Sequence, residues 1–452
     1  MIVYMKKKLL YLYISFILSV IIFAVHINLD QIKIWVLNRI LVKRGILSQN
    51  CLWYKISDVL LNDGAGVDLY NLLKEKKGNF PLTKQFDEDI YLVNNVHHIK
   101  QILDNSPTIF GVGKLKMSYF KSFMEKNVGV SQGCPWKKRR HINEVALQTD
   151  KLHSDSGLYN TYIKEHIQKW NNIDKIEYKD FGVLGKYIAS KIIFGVDKVH
   201  EDVFNVFSEA DTTNSLIDTH FQINETTRSN YLKVYNTYID NPQPNTLIQL
   251  CLTVSNDREE IIHQIPHFVF PIAGLFITSI PRLLIMLCNH RDKLGKVVKE
   301  INSNDVYNLP YLRKCIMETV RLINPLITTF RTLLRDYTFD EKYSFKKGTQ
   351  FLILNNPVLR EKEFFEKPNQ FIPERWTPEM EKSYYAISFN QGPQRCPGKE
   401  MVIFLAQSFV YNFVKLKKID HNTQIDTIEI DTNNIPQIIN PCTIYFTFGS
   451  NK

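Results

Sequence analysis

Phe389-Asn390-Gln391-Gly392-Pro393-Gln394-Arg395-Cys396-Pro397-Gly398 holds one cysteine in a loop rich in turn-forming residues. An almost wholly apolar stretch, Met401 to Val414, follows it. A helix that is hydrophobic all round is a buried helix, so the cysteine should sit just before a core element. Gly392 and Gly398 can take positive φ and leave room for close approach. Such a loop can aim backbone N–H groups at a sulfur and tune a metal-bound thiolate. Phe389 would shield one side from water. The plainer reading is a buried structural cysteine, among the most buried of residue types.

The other motifs shift the balance. Trp136 and Arg140 are four apart in Gly133-Cys134-Pro135-Trp136-Lys137-Lys138-Arg139-Arg140 and share a face if helical. Leu312, Cys315, Ile316, Thr319, Val320 and Ile323 make one stripe at helical spacing. Glu318 and Arg321 lie off that stripe, three apart and able to pair. Taken alone they are a surface ion pair worth about 0–1 kcal/mol. Phe371-Ile372-Pro373-Glu374-Arg375-Trp376 adds a guanidinium that binds carboxylates in a forked manner.

In this order the motifs resemble the cytochrome P450 family. The loop resembles its cysteine-ligand signature F-x-x-G-x-R-x-C-x-G through Phe389, Gly392, Cys396 and Gly398. Gln394 stands where that signature has arginine, and Arg395 follows one residue later. Trp136 and Arg140 match W-x-x-x-R, Glu318 and Arg321 match E-x-x-R, and Arg375 matches P-E-R. The resemblance runs over roughly residues 93–416 and implies a mainly α fold with small β-sheets. Haem b would lie between a long central helix and the Cys loop, with Cys396 as axial ligand. Trp136, Arg140 and Arg331 would meet the propionates, and Arg395 would be among the cofactor-binding residues of the loop. Glu318, Arg321 and Arg375 would brace the loop.

Ala273-Gly274-Leu275-Phe276-Ile277-Thr278-Ser279 aligns with the family's A-G-x-[DE]-T-T segment, so Ala273, Gly274 and Thr278 are the distal candidates. Phe276 replaces the acid and Ile277 the usual threonine, and neither carries a proton. Thr278 and Ser279 point elsewhere on a regular helix, at about 100° per residue, unless a bulge shifts the register. Asn256 and Glu259 have capping-box spacing for this helix, and Pro266, Pro271 and Pro281 predict kinks.

The chain has 452 residues and a net charge of +10, which suggests a basic face more than a nucleic-acid protein. Lys137, Lys138 and Arg139 form a candidate docking face for an acidic electron donor. The seven cysteines contain no C-x-x-C pair, against a zinc ribbon or a dense disulfide framework. Lys6-Lys7-Lys8 precede the uncharged run Leu9–Val25, near the short limit of about 17–25 residues for a membrane span. No small-x-small cleavage site follows it, which favours an uncleaved anchor over a signal peptide. The expected layout is residues 1–45 as anchor and connector and 46–452 as haem-binding catalytic domain.

The resemblance implies a cytosolic catalytic domain and electrons from an NADPH-dependent flavoprotein reductase. A glycan on the sequon at Asn224 would overturn that topology. The implied function is a monooxygenase acting on an apolar, lipid- or sterol-like molecule. Phe276 and Ile277 keep open an oxygen-independent isomerase or dehydratase, and a non-catalytic haem-binding protein is the third reading.

Overall fold

Among the described residues, a long run of helices from Tyr178 to Leu322 is flanked by groups of short strands. The computed structural model describes residues 82–448 apart from 86–87, 94, 213–222, 326–327, 421–422 and 436–442. The expected anchor, Leu9–Val25, lies outside the described residues.

Twelve helices of nine or more residues are described: α1 Val96–Asp104, α2 Lys114–Met124, α3 Gly133–Leu147, α4 Ser156–Ile167, α5 Tyr178–Phe194, α6 Glu201–Thr212, α7 Glu225–Asp240, α8 Ile265–Gly274, α9 Ile280–Asn289, α10 Arg291–Ser303, α11 Pro310–Leu322 and α12 Lys399–Leu416. The strands are β1 Leu82–Gln85, β2 Glu88–Leu92, β3 Phe110–Val112, β4 Lys175–Glu177, β5 Thr328–Leu333, β6 Tyr337–Phe339, β7 Tyr343–Phe345, β8 Gln350–Leu354, β9 Ile425–Asp426 and β10 Tyr445–Phe448. They form a five-stranded sheet (β1-β2-β8-β5-β3), a three-stranded sheet (β4-β10-β9) and a hairpin (β6-β7). This is the mainly α architecture with small sheets that the motifs imply.

Two cores hold it together. The larger is helical and takes in Leu184 and Ile188 of α5, Phe268 and Val269 of α8, Ile316 of α11 and Phe409 of α12. The smaller lies under the five-stranded sheet, where Ile99, Ile102 and Leu103 of α1 meet Phe110, Phe351 and Ile353. The stripe at Ile99, Ile102 and Leu103 is the face buried here, as its helical spacing requires.

The apolar central region departs from one kinked helix. A short helix, Arg258–Ile262, is capped by Asp257, which accepts from the Glu260 N–H at 3.2 Å. The cap therefore falls one residue after Asn256, and the Asn256/Glu259 capping box does not form. Pro266 and Pro281 sit in the first turns of α8 and α9, where a missing N–H costs no helical bond. Only Pro271 is interior. Between α8 and α9, Leu275–Ser279 forms a π-helical turn. Arg258–Asn289 is 32 residues long and apolar enough to cross a membrane, yet 72 % of its most apolar window is buried. Burial of that extent makes it a core element, as in a soluble domain.

Candidate haem-binding site

The Cys loop is closed by backbone bonds and held from outside by side-chain donors to its carbonyls. The turn Ile387–Phe389 leads in, Asn390 takes φ 60°, and Gly392 takes φ +71°. A Cβ at Gly392 would lie 2.5 Å from the Leu103 carbonyl oxygen, so the left-handed turn and the close approach to α1 both demand glycine. The Cys396 N–H donates to the Phe389 carbonyl at 2.8 Å, closing the loop. Thr149 Oγ1 donates to the Pro397 carbonyl at 2.9 Å, and Arg140 Nη1 to the Arg395 carbonyl at 2.7 Å. Gln391 Nε2 bridges the carbonyls of Glu381 and Ser383 at 3.0 and 3.1 Å.

Gly398 differs from the expectation. Its φ is −100°, and a Cβ there would meet Leu147 at an ordinary 3.6 Å. What it contributes is a backbone N–H near the Cys396 sulfur that helps to lower the thiol. Burial pushes the Cys396 thiol up, while that N–H and the charges of Arg140 and Lys399 pull it down. Cys396 is half-buried, and Phe389 lies beside the loop with the Lys399 ammonium 5.9 Å from its ring.

The brace behind the loop is buried rather than superficial. Glu318 and Arg321 are both 0 % exposed, because α11 is packed on both sides. Arg321 grips the carboxylate with Nε at 2.8 Å and Nη2 at 2.9 Å. Arg375 Nε (3.1 Å), the Ile372 N–H (3.0 Å) and Trp376 Nε1 (2.9 Å) complete five donors to Glu318. Burial opposes the charge on Glu318, but Arg321 and Arg375 outweigh it and hold the carboxyl below the usual range. Arg321 also donates to the carbonyls of Leu359 and Pro368, both at 2.8 Å. The same helix reaches the start of α12 through Arg313, which pairs with Glu400 at 2.7 Å and Glu381 at 2.8 Å. Trp376 was legible as part of a motif, but its indole N–H as a ligand of Glu318 was not.

Helix α3 carries Trp136 half-buried and Arg140 at 6 % exposure. Arg140 Nε meets Glu144 at 2.7 Å, while Nη2 is buried without a partner. Arg331 on β5 is 5 % exposed and donates only to Ser106 Oγ (3.0 Å) and the Phe330 carbonyl (2.8 Å). No carboxylate faces it among the described residues. Burial lowers its guanidinium to about 10. Arg395 does not join these groups: its guanidinium is 43 % exposed and pairs with Asp150 at the surface. Arg139, expected on a free basic face, is committed to a half-buried forked pair with Glu260 at 2.6 and 2.9 Å. Lys138 pairs with Asp257, and Lys137 is exposed.

On α8 and the π turn, Ala273, Phe276 and Ile277 are almost fully buried. Phe276 packs against Phe409 at 6.3 Å between ring centres and against Gly185 of α5. Gly274 instead fronts open space, with nothing within 4 Å of where a Cβ would stand. Thr278, half-buried, donates from Oγ1 to the Gly274 carbonyl at 2.7 Å, and Ser279 Oγ lies 3.5 Å from that hydroxyl. The π turn is the bulge that a regular helix lacked.

Residues 286–436 match the cytochrome P450 family model. The chain carries a cytochrome P450 domain. Its described fold is that of the cytochrome P450s: a retinoic-acid-bound cyanobacterial CYP120A1 superposes at TM-score 0.69, with 17 % identity over 87 % of this chain and 96 % of that one. A second P450 structure, P450BioI with a fatty-acyl carrier protein, gives TM-score 0.66 at 14 % identity over 87 % of this chain and all of that one. In sequence, the probable mitochondrial cytochrome P450 12d1 proximal of Drosophila melanogaster is 28 % identical over 163 residues, 32 % of this chain and 31 % of that protein. The beta-amyrin 28-monooxygenase of Vitis vinifera is 30 % identical over 136 residues, 30 % of this chain and 28 % of that protein. The matched segment spans under a third of either relative. Cytochrome P450s hold a haem through a cysteine thiolate. The residues present fit such a group: a half-buried sulfur at the mouth of a tight loop, an orphaned nitrogen on Arg140, and a buried Arg331 that faces no carboxylate among the described residues.

Proposed function

We propose that this chain is a haem–thiolate monooxygenase that inserts one oxygen atom into an apolar, lipid- or sterol-like substrate. Its electrons would come from an NADPH-dependent flavoprotein reductase or similar donor. The observation that carries the reading is the half-buried Cys396 sulfur, taken with the backbone bond that closes its loop and the glutamate-centred brace behind it. When bound, haem supplies the oxygen chemistry, and an axial thiolate favours O–O cleavage.

The chain's own residues divide the remaining work. Cys396 would hold the haem iron through its sulfur, and Phe389, Gly392 and Gly398 would shape and shield it. Trp136, Arg140 and Arg331 would hold the propionates. Glu318, Arg321 and Arg375 keep the loop from shifting. Ala273 and Gly274 give the distal helix a thin face, and the Thr278 hydroxyl, anchored on the Gly274 carbonyl, is the proton carrier of this turn. Residues 1–45 anchor the chain in a membrane, which favours lipid-soluble substrates, and the catalytic domain lies on the cytosolic side. The triterpenoid named for the grape relative and the retinoic acid in the cyanobacterial structure are apolar molecules of this general kind.

A second reading has its own support. Phe276 and Ile277 are 0 % and 1 % exposed and replace both proton-carrying side chains of the family segment. Rearrangement or dehydration of a peroxide-like compound needs no such pair. Turnover with a generic reductase, run in air and under argon, separates the readings. Product formed only in air supports the monooxygenase, and product formed equally under argon supports the isomerase. Ligand binding in both with no product leaves the haem-binding protein.

A further inference from the structure

The central helix leaves one face uncovered. Between Ile265 and Ile277 only His267, Phe270, Pro271 and Gly274 are not buried. They fall at i, i+3, i+4 and i+7, which is one stripe of a helix. Phe270 is 45 % exposed, and nothing lies within 4 Å of a Cβ at Gly274. Half-buried Thr278, one turn beyond, continues the stripe. In the haem–thiolate reading this stripe borders the distal space.

Backbone groups fix the tautomer of His267. The Val128 N–H donates to Gln264 Oε1 at 3.0 Å, so that oxygen is the acceptor, and Gln264 Nε2 donates to the carbonyls of Lys126 and Glu260, both at 2.9 Å. Asn143 Nδ2 then donates to Gln264 Oε1 at 3.0 Å and to the Arg139 carbonyl at 2.8 Å. That leaves Asn143 Oδ1 as an acceptor 3.1 Å from His267 Nδ1, which carries the hydrogen. Nε2 is therefore the lone-pair nitrogen of the neutral ring, and it has no protein partner among the described residues. Burial, with the nearby charges of Lys116 and Arg140, lowers the ring to about 4 and keeps it neutral. The His267 carbonyl adds a second acceptor, because Pro271, four residues on, has no N–H to give it.

This end of the stripe offers acceptors and no donor. An ionised carboxylate has no hydrogen to give them, and an ammonium would meet the charges of Lys116 and Arg140. A neutral hydroxyl suits it. Seven residues at about 1.5 Å each put His267 about 10 Å along the helix from Gly274, so a group held there is an anchor and not the carbon oxidised.

We propose that His267 Nε2 accepts a hydrogen bond from a hydroxyl group of the substrate and anchors that end of an otherwise apolar molecule. The inference rests on the monooxygenase reading above and names one feature of its substrate.

The haem-loaded full chain is titrated with dodecanol and with its methyl ether, which keeps the oxygen and loses the donor, while the Soret band is followed. Wild type should bind the alcohol about tenfold more tightly than the ether, the scale of one buried hydrogen bond. His267→Phe keeps an aromatic ring without either nitrogen and should bind the two alike, with the ether affinity of wild type. His267→Leu repeats the comparison with a smaller side chain. Equal affinity of wild type for alcohol and ether, or no response to either, overturns the proposal, as does a preference for alcohol that survives in both variants. Equal weakening of both ligands, or loss of the Soret band in both variants, marks a structural role and overturns it too. A wild type that takes up no haem instead removes the haem–thiolate reading, and shows before any ligand is added.

Discussion

Trp376 donates its indole N–H to Glu318 Oε2 at 2.9 Å, on the same oxygen that Arg321 Nε holds at 2.8 Å. The carboxylate is fully buried, and its charge is balanced by Arg321 below and Arg375 beside it. Removing one member of a buried pair leaves the others uncompensated, which costs about 3–5 kcal/mol. Glu318→Gln should lower stability by that amount in urea denaturation. Trp376→Phe loses both the bond to a charged group, about 1.5–3 kcal/mol, and part of the buried indole volume, so it should cost at least that much.

The same carboxylate sets an acid limit. Its folded pKa is depressed, so its contribution is present above the ordinary glutamate value and is lost as pH falls through the folded value. Stability measured from pH 6 downward should fall more steeply for wild type than for Glu318→Gln. Parallel curves would show that the pair carries no such linkage.

The two glycines of the Cys loop should respond differently. Gly392→Ala places a side chain at φ +71° and 2.5 Å from the Leu103 carbonyl oxygen. The left-handed conformation alone costs about 1–2 kcal/mol, before any clash. Gly398→Ala meets Leu147 at 3.6 Å with an ordinary φ and should change stability by less than about 1 kcal/mol. Thermal melts of the two variants, with the Soret band as a second probe, check the contrast.

On the distal side, restoring the family's acid at Phe276 should fail. That side chain lies between Gly185 and Phe409, so Phe276→Asp removes a core ring at about 3–5 kcal/mol and buries a carboxyl besides. Thr278→Ala removes only a hydroxyl at the edge of open space. It should leave the melting temperature nearly unchanged while lowering product formed per electron consumed. Unchanged coupling would exclude Thr278 from proton delivery.

On the basic face, Lys137→Glu should slow reduction by an acidic donor at low salt and leave stability alone. Arg139→Glu should destabilise the fold instead, because it sets two acids against each other at Glu260. Stopped-flow reduction rates and melts of both variants decide it.

The Cys loop, the α3 pair and the brace were legible because each is a short run of unusual residue types at fixed spacing. Burial of Glu318 was not, since α11 has one apolar stripe and its second covering comes from residues 359–376, far along the chain. The π turn was hidden because a sequence is read at a single helical period, and an inserted bulge leaves no compositional mark. The cap moved from Asn256 to Asp257 because either side chain accepts N–H bonds, and packing chose between them. Arg395 stood among the expected cofactor-binding residues of the loop, but one residue of offset turns its side chain outward to Asp150.

The most direct test is the reduced carbon monoxide difference spectrum of the full chain beside that of Cys396→Ala. The account predicts a thiolate-type band in wild type and its loss in the variant, with the fold intact by circular dichroism. A wild type that stays colourless after haem supplementation, or a variant that keeps the wild-type band, would contradict it.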